Sequence, residues 1–438
     1  MIHLPLSKDP GIFTHTTLSN GISIYYKQAE QLFGLPKIAC CALVTVGGRD
    51  DPRGKEGTAH FFEHMPFRGT KHFPTLAELT QDIENNGGYV NAFTSDEVTG
   101  YEVIAPTSMI EGAIARVADM FLYPILRPED IEIERSVILE ELRNKHAHVN
   151  FFVRSKVMEG LLGNHPLVYA TIGTEQALNS IAQEDLVAFH EKYYNSHNLT
   201  LFFTGDFKSD ELLSHCETFF GSITHKGEKT ERNLELKPHS IVEPVQTYTP
   251  SEYNRSVYAL GRVLPKADLR IATILKLYTD MLTRGFTSPL YQEIREKRGL
   301  AYSMGMHAGI YQDLTLLMFT ISTQYRYMDQ VDTIAWEQMR AILSNDERFQ
   351  EVKHSIKQSI LHREYSVGSL NDEAVDDFQD YGRIIPLTEY VALLDSIQLQ
   401  DVQDFIEPLL VKEEFLNIRV NCDRQGLSES TTTTENVE

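Results

Sequence analysis

The sequence predicts an α+β protein of two topologically similar domains, each a mainly antiparallel sheet with helices packed on one face. Three observations carry this. The chain has 438 residues, too many for one ordinary core and enough for two domains of about 200. Both halves show the same order of patterns (strand, strand, helix, helix, long β segment, helix, helix), although they are dissimilar in sequence. Between them, the stretch from Lys226 to His239 is polar and lacks apolar periodicity, as a linker does. The expected units are residues 1–225, a linker over 226–244, residues 245–426, and a polar, acidic tail over 427–438 that is too poor in apolar residues to order itself.

In the first half, the apolar runs Ile22–Tyr26 and Ile38–Val46 read as strands. A short helix around residues 58–64 follows, then one from Leu76 to Asn86. Val90–Ala105 is a long β segment, bent or paired with itself. Helices cover Ser108–Tyr123 and Glu129–His146. Arg127-Pro128-Glu129-Asp130 opens the second of these with a proline and first-turn acids. In the second half, Val245–Thr249 and Ser256–Val263 read as strands, and Leu269–Leu282 and Pro289–Lys297 as helices. A hairpin over Ala301–Gln324 and helices over Gln330–Leu343 and Phe349–Tyr365 complete it.

Composition excludes several classes. With 42% hydrophobic and 23% charged residues the chain is that of a folded protein. No stretch approaches the roughly 18 apolar residues of a membrane span. The first ten residues lack a basic region followed by an apolar one, so a cytoplasmic location is expected. A net charge of -22 argues against nucleic acid, whose phosphates need a basic surface. That excess acid would favour basic peptides if it lined a chamber; its simpler role is to keep the surface solvated. Four cysteines do not make a disulfide framework. Cys40 and Cys41 are neighbours on opposite faces of a strand, and Cys216 and Cys422 are isolated, so free buried thiols are expected.

The most informative stretch is His60-Phe-Phe-Glu63-His64. Residues four apart on a helix share a face, so both imidazoles can grip one ion, with Glu63 beside the place of a metal-bound water. Two neutral nitrogen ligands, an open position and a carboxylate base are the parts zinc hydrolysis needs. The bland alternative is a pair of surface histidines. A third ligand is still required, and the helix over Glu129–His146 offers Glu134, Glu140 and Glu141. Glu134 and Glu141 lie seven residues, two turns, apart and share a face, from which Glu140 is turned by about 100°.

From His64 to Glu141 there are 76 intervening residues. Here the sequence resembles the inverzincin metallopeptidases, the family of pitrilysin, insulysin and the mitochondrial processing peptidase, whose signature is H-x-x-E-H followed by the glutamates of an E-x6-E helix. The likeness extends to Gly57–Thr70, Gly87–Ser95, His165-Pro166, Ile172-Gly173-Thr174, Phe189-His190, Tyr193-Tyr194 and Leu201–Asp206. Pro66 stands where an aliphatic residue is commoner, so the helix is expected to end or bend just after His64.

What the resemblance implies is specific. Glu141 would be the third ligand of one Zn²⁺ per chain, beside His60 and His64, and Glu134 the acid that supports them. Glu63 would be the catalytic base. Arg295 and Tyr302, seven residues apart, match the family's pair at the scissile bond, with Arg298 a competing cation of surface character. Asn91, Ala92, Phe93 and Thr94 match the exposed strand to which a peptide adds; the alternative is an internal strand paired on both edges. A zinc-dependent endopeptidase acting on extended peptides is therefore expected. Chains of this length resemble half-shells that dimerise, so a homodimer is expected in which one subunit's Arg295 and Tyr302 complete the other's zinc site. A heterodimer with a related chain, and a non-catalytic partner subunit, are the alternatives within the family.

Overall fold

In the computed structural model the described residues are 9, 11–28, 36–223, 229–232, 241, 243–363 and 365–423. The tail over 427–438 and much of the 226–244 linker lie outside them.

The first sheet holds β1 (Thr14–Thr17), β2 (Ser23–Gln28), β3 (Lys37–Val44), β4 (Tyr89–Thr94), β5 (Thr99–Pro106) and β6 (Leu199–Gly205). The second holds β7 (Val245–Tyr248), β8 (Val257–Pro265), β9 (Ala301–Ile310), β10 (Leu314–Thr323) and β11 (Leu416–Val420). Helices α1 (Thr58–His64), α2 (Leu76–Asn85), α3 (Ile110–Leu122), α4 (Pro128–His146), α5 (Val149–Leu162), α6 (Glu175–Ser180), α7 (Gln183–Tyr193) and α8 (Ser209–Phe220) belong to the first half. The second half carries α9 (Leu269–Thr283), α10 (Met328–Ala341), α11 (Asp346–Leu361), α12 (Val367–Tyr381), α13 (Leu387–Ser396) and α14 (Leu399–Ile406).

Spatial order shows the duplication. The first sheet runs β1-β2-β6-β3-β5-β4 and the second β7-β11-β8-β10-β9. With β1 set aside, both follow the chain order first-fifth-second-fourth-third, and in both the first and fifth strands are parallel while the remaining pairs are antiparallel. The expected α+β architecture of two like sheets is therefore present. The long β segment resolves into the hairpin β4–β5, closed opposite Thr94 and Thr99. Pro289–Lys297 forms a π-turn over Tyr291–Glu296 instead of an α-helix.

Strand alternation divides each sheet into two apolar faces. In the first, Cys40, Ala42, Tyr101, Val103, Leu201 and Phe203 pack against α1, α3, α7 and α8. Cys41, Leu43 and Phe202 point the other way, against Ala374 and Val375 of α12. In the second sheet, Tyr258, Leu260, Leu317 and Phe319 meet the second half's own helices. The opposite side, with Ala259, Leu316 and Ile418, is covered by Val153, Val157 and Leu161 of α5. Each sheet thus borrows one helix from the other half, an exchange that the one-faced reading did not include. All four cysteines are free and buried.

Candidate metal centre

Helix α1 begins sharply. Gly57 enters at φ 101, and a Cβ there would lie 2.7 Å from the Ile172 carbonyl oxygen and 3.1 Å from the Gly173 Cα. Only glycine tolerates both that dihedral and that approach. Gly173 is held alike (φ 82), and a Cβ on it would fall 2.0 Å from the Glu56 oxygen. Asp51 then caps the helix, its carboxylate accepting from Gly57 N at 2.6 Å and Ala59 N at 2.8 Å. The helix ends at His64 and passes into a 3-10 turn containing Pro66, as the proline predicts.

One face of α1 is locked inward. The Phe62 ring centroid lies 4.6 Å from Tyr194 and 5.2 Å from His190, so the 189–194 segment serves as the packing wall behind the site. The other face presents His60 and His64, whose ring centroids are 4.6 Å apart. Helix α4 approaches them along its buried stripe Ile131, Glu134, Ile138 and Leu142. That register places Glu134 under His64 and Glu141 across from both imidazoles.

The distances separate the two glutamates. Glu134 Oε1 lies 2.7 Å from His64 Nδ1, and Arg68 Nε donates to its other oxygen. Glu141 Oε2 lies 3.6 Å from His60 Nε2 and 4.0 Å from His64 Nε2, while Lys145 Nζ sits 3.1 Å from Oε1. Glu140 is turned outward and pairs with Arg143 at 2.7 Å. His60, Glu63 and His64 each place one donor atom within 4.8 Å of the others.

These residues fit a zinc ion. Tetrahedral ligands at about 2.0–2.1 Å from the metal stand roughly 3.4 Å from one another, close to the Glu141-to-histidine spacings and longer than direct hydrogen bonds. With its Nδ1 engaged by Glu134, His64 turns Nε2 toward the gap, the orientation a ligand needs. Burial, with His64 adjacent, holds His60 down at about 4, so its imidazole is neutral at ordinary pH and has a lone pair to give. Burial is the largest single influence on His64 and lowers it, but the Glu134 hydrogen bond and the charges of Glu63, Glu134 and Glu141 together leave the ring above its usual value.

Glu63 is buried, and burial raises its carboxyl above the ordinary range. Its Oε2 accepts from the Thr94 hydroxyl at 3.0 Å. Strand β4 itself lies at the end of its sheet, paired with β5 alone among the described strands. Its side chains diverge: Val90 and Ala92 pack on the α1 side, whereas Phe93 joins the cluster beneath α12. By alternation Asn91, opposite Glu102, shares the Phe93 side and Thr94 the α1 side.

Arg295 and Tyr302 lie elsewhere. They are brought together with each other: Arg295 Nη1 donates to the Tyr302 carbonyl at 2.8 Å, and its guanidinium stands 5.4 Å from the Tyr302 ring and 5.1 Å from Tyr291. Tyr302 is 69% exposed. Neither residue has a hydrogen bond, ion pair or ring contact with the metal half among the described residues. Arg298 is held by Glu293, its Nη1 donating to that residue's carbonyl at 2.7 Å.

The sequence reading missed what ties this site to the second half. Asp96 receives the Thr171 hydroxyl at 2.7 Å and Arg154 at 3.0 Å, and Arg154 also donates to the Tyr311 hydroxyl of the second half at 3.3 Å. Glu97 pairs with Arg49, which also grips Asp313 in the turn between β9 and β10. His165, noted only for its motif, reaches Asp313 at 2.8 Å. No spacing rule could announce partners so far apart.

Comparison with known proteins identifies the family and the fold. The profile described as "Insulinase (Peptidase family M16)" matches residues 36–175, and "Peptidase M16 inactive domain" matches 180–356. An uncharacterized zinc protease of Rickettsia felis is 25% identical over 399 residues, covering 89% of this chain and 93% of its own. One from Bacillus subtilis is 26% identical, covering 91% and 95%. Among solved structures, a Helicobacter pylori protease superposes with TM-score 0.85 at 19% identity, covering 94% of this chain and 99% of that one. Pitrilysin gives 0.74 at 19% identity; the match covers 94% of this chain but 45% of pitrilysin. No helix among the described residues is long and apolar enough to cross a membrane. Two adjoining profile matches, near-full-length relatives and a shared fold lead to one conclusion: the chain belongs to the pitrilysin-like M16 peptidase family.

Proposed function

We propose that this chain is a zinc-dependent endopeptidase that hydrolyses extended peptides, with His60, His64 and Glu141 holding one Zn²⁺ and Glu63 acting as base. The observation that carries it is the convergence of two imidazole Nε2 atoms on Glu141 Oε2, at 3.6 and 4.0 Å, with Glu63 on the same helix face. Zinc held there would supply Lewis-acid activation of water and of a peptide carbonyl. Glu63 takes a proton from water at its carboxylate and returns it to the departing amine. Glu134 keeps His64 in the tautomer whose Nε2 is free.

The outer edge of β4, unpaired among the described strands, suits a peptide added as a further strand. Backbone hydrogen bonds then supply affinity with little regard for sequence. Residues 245–426 contribute Arg295 and Tyr302, Tyr302 to share the charge developing on the carbonyl oxygen and Arg295 to orient the peptide. The exposure of Tyr302, and the separation of both residues from the metal half, support a homodimer in which each subunit completes the other's site.

The test is digestion of a peptide mixture by the wild type and by Glu63→Gln, read by mass spectrometry with zinc measured in both. Cleavage by the wild type alone, with zinc in each, is expected. A wild type that carries no zinc and cleaves nothing would favour the non-catalytic partner role instead.

A further inference from the structure

Among the described residues, the Glu63 side chain makes one hydrogen bond, from the Thr94 hydroxyl at 3.0 Å. A carboxylate is otherwise free to turn about its last torsion, where the barrier is broad and low. Thr94 is also the last residue of β4, and the turn after it is firmly tied down. The Ser95 carbonyl accepts from Gly48 N at 3.0 Å and the Asp96 carbonyl from Arg49 N at 2.9 Å. The Ser95 hydroxyl accepts from Glu97 N at 3.2 Å and Val98 N at 3.1 Å. Thr94 therefore stands between a pinned turn and the edge strand, with its hydroxyl on the base.

We infer that Thr94 is a positioning residue: it holds the Glu63 carboxylate toward the water it must deprotonate, and ties that aim to the strand on which a peptide is added. This goes beyond a substrate contact by the 91–94 segment. It assigns the Thr94 side chain to the base and leaves peptide recognition to the strand's outer backbone. It rests on the zinc-peptidase reading above.

The test uses the zinc-loaded full chain with Thr94→Val, which keeps the shape and removes the hydroxyl, and Thr94→Ser, which restores it. Thr94→Val is expected to lower kcat about 10- to 100-fold, the usual effect of removing a group that orients a metal site's residues. KM should stay within about threefold, and Thr94→Ser should recover kcat to within about threefold of wild type. Crystal structures should show Glu63 fixed in the wild type and turned away in Thr94→Val. Unchanged kcat in Thr94→Val, a rise in KM alone, a serine variant as poor as the valine one, or Glu63 unmoved in the valine structure would each overturn the assignment. If the wild type cleaves no peptide, the peptidase reading fails. The crystal comparison then decides Thr94 alone, a released Glu63 supporting the positioning role and an unmoved one overturning it.

Discussion

Asp313 receives both terminal nitrogens of Arg49, Nη1 at 3.0 Å and Nη2 at 2.8 Å, across 264 positions of sequence. Both side chains are almost fully buried. Burial alone would raise the Asp313 carboxyl, but His165 and Arg49 hold it well below the usual carboxylate range. The pair fastens the turn between β9 and β10 to the segment that leads into α1, so the two halves meet at a buried charged lock.

Arg49→Ala would leave Glu97 and Asp313 buried without their counter-charge. The expected cost is about 3–5 kcal/mol of folding stability, measured by urea denaturation. A loss under about 1 kcal/mol would mean that water or His165 replaces the guanidinium.

The acids beneath α12 predict a pH dependence. Burial, with Asp372 and Asp376 nearby, pushes Glu102 up to about 7 from an ordinary value of 4.5. A folded pKa above the unfolded one means that this contribution is complete below 4.5 and is lost as pH rises through 7. Glu102→Gln should therefore be more stable than wild type by about 1–3 kcal/mol at about pH 8, an advantage that vanishes near pH 4. Parallel stability curves across that range would show that Glu102 ionises normally.

Metal affinity should separate Glu134, Glu140 and Glu141 of α4. Glu134→Gln weakens the support of His64 and should lower zinc affinity about 10- to 100-fold in chelator competition. Glu141→Ala removes a proposed ligand and should lose more. Glu140→Ala, whose partner is the exposed Arg143, should match wild type. Equal losses in Glu140→Ala and Glu141→Ala would contradict the ligand assignment.

Composite sites can be tested by mixing. An Arg295→Ala chain and a Glu63→Gln chain, each nearly inactive alone, should regain about a quarter of wild-type activity when refolded together, because half the chains enter mixed dimers with one intact site each. No recovery, with mixed dimers confirmed by mass, would place both contributions within a single chain.

The duplication of topology was visible in the sequence because periodicity records which face of each element is buried. Its consequence was not. The stripe Val153, Val157, Leu161 marks α5 as a helix with an apolar face, yet nothing in it says that this face covers the second sheet. The same holds for Ala374 and Val375 of α12, which cover the first. Apolar faces are non-directional, so their partners are chosen by the packing of the whole chain.

The candidate metal centre divides along the same line. Helical spacing alone put His60, Glu63 and His64 on one face and Glu134 with Glu141 on another, because backbone geometry fixes neighbours within a turn or two. Which glutamate meets the imidazoles and which supports one from behind is decided by the angle at which α4 crosses α1. That Thr94 donates to Glu63, and that Asp313 answers Arg49, depends on sheet register and on the docking of one half against the other. Such contacts cost chain entropy that only the complete core can offset, so the amino-acid order carries them without displaying them.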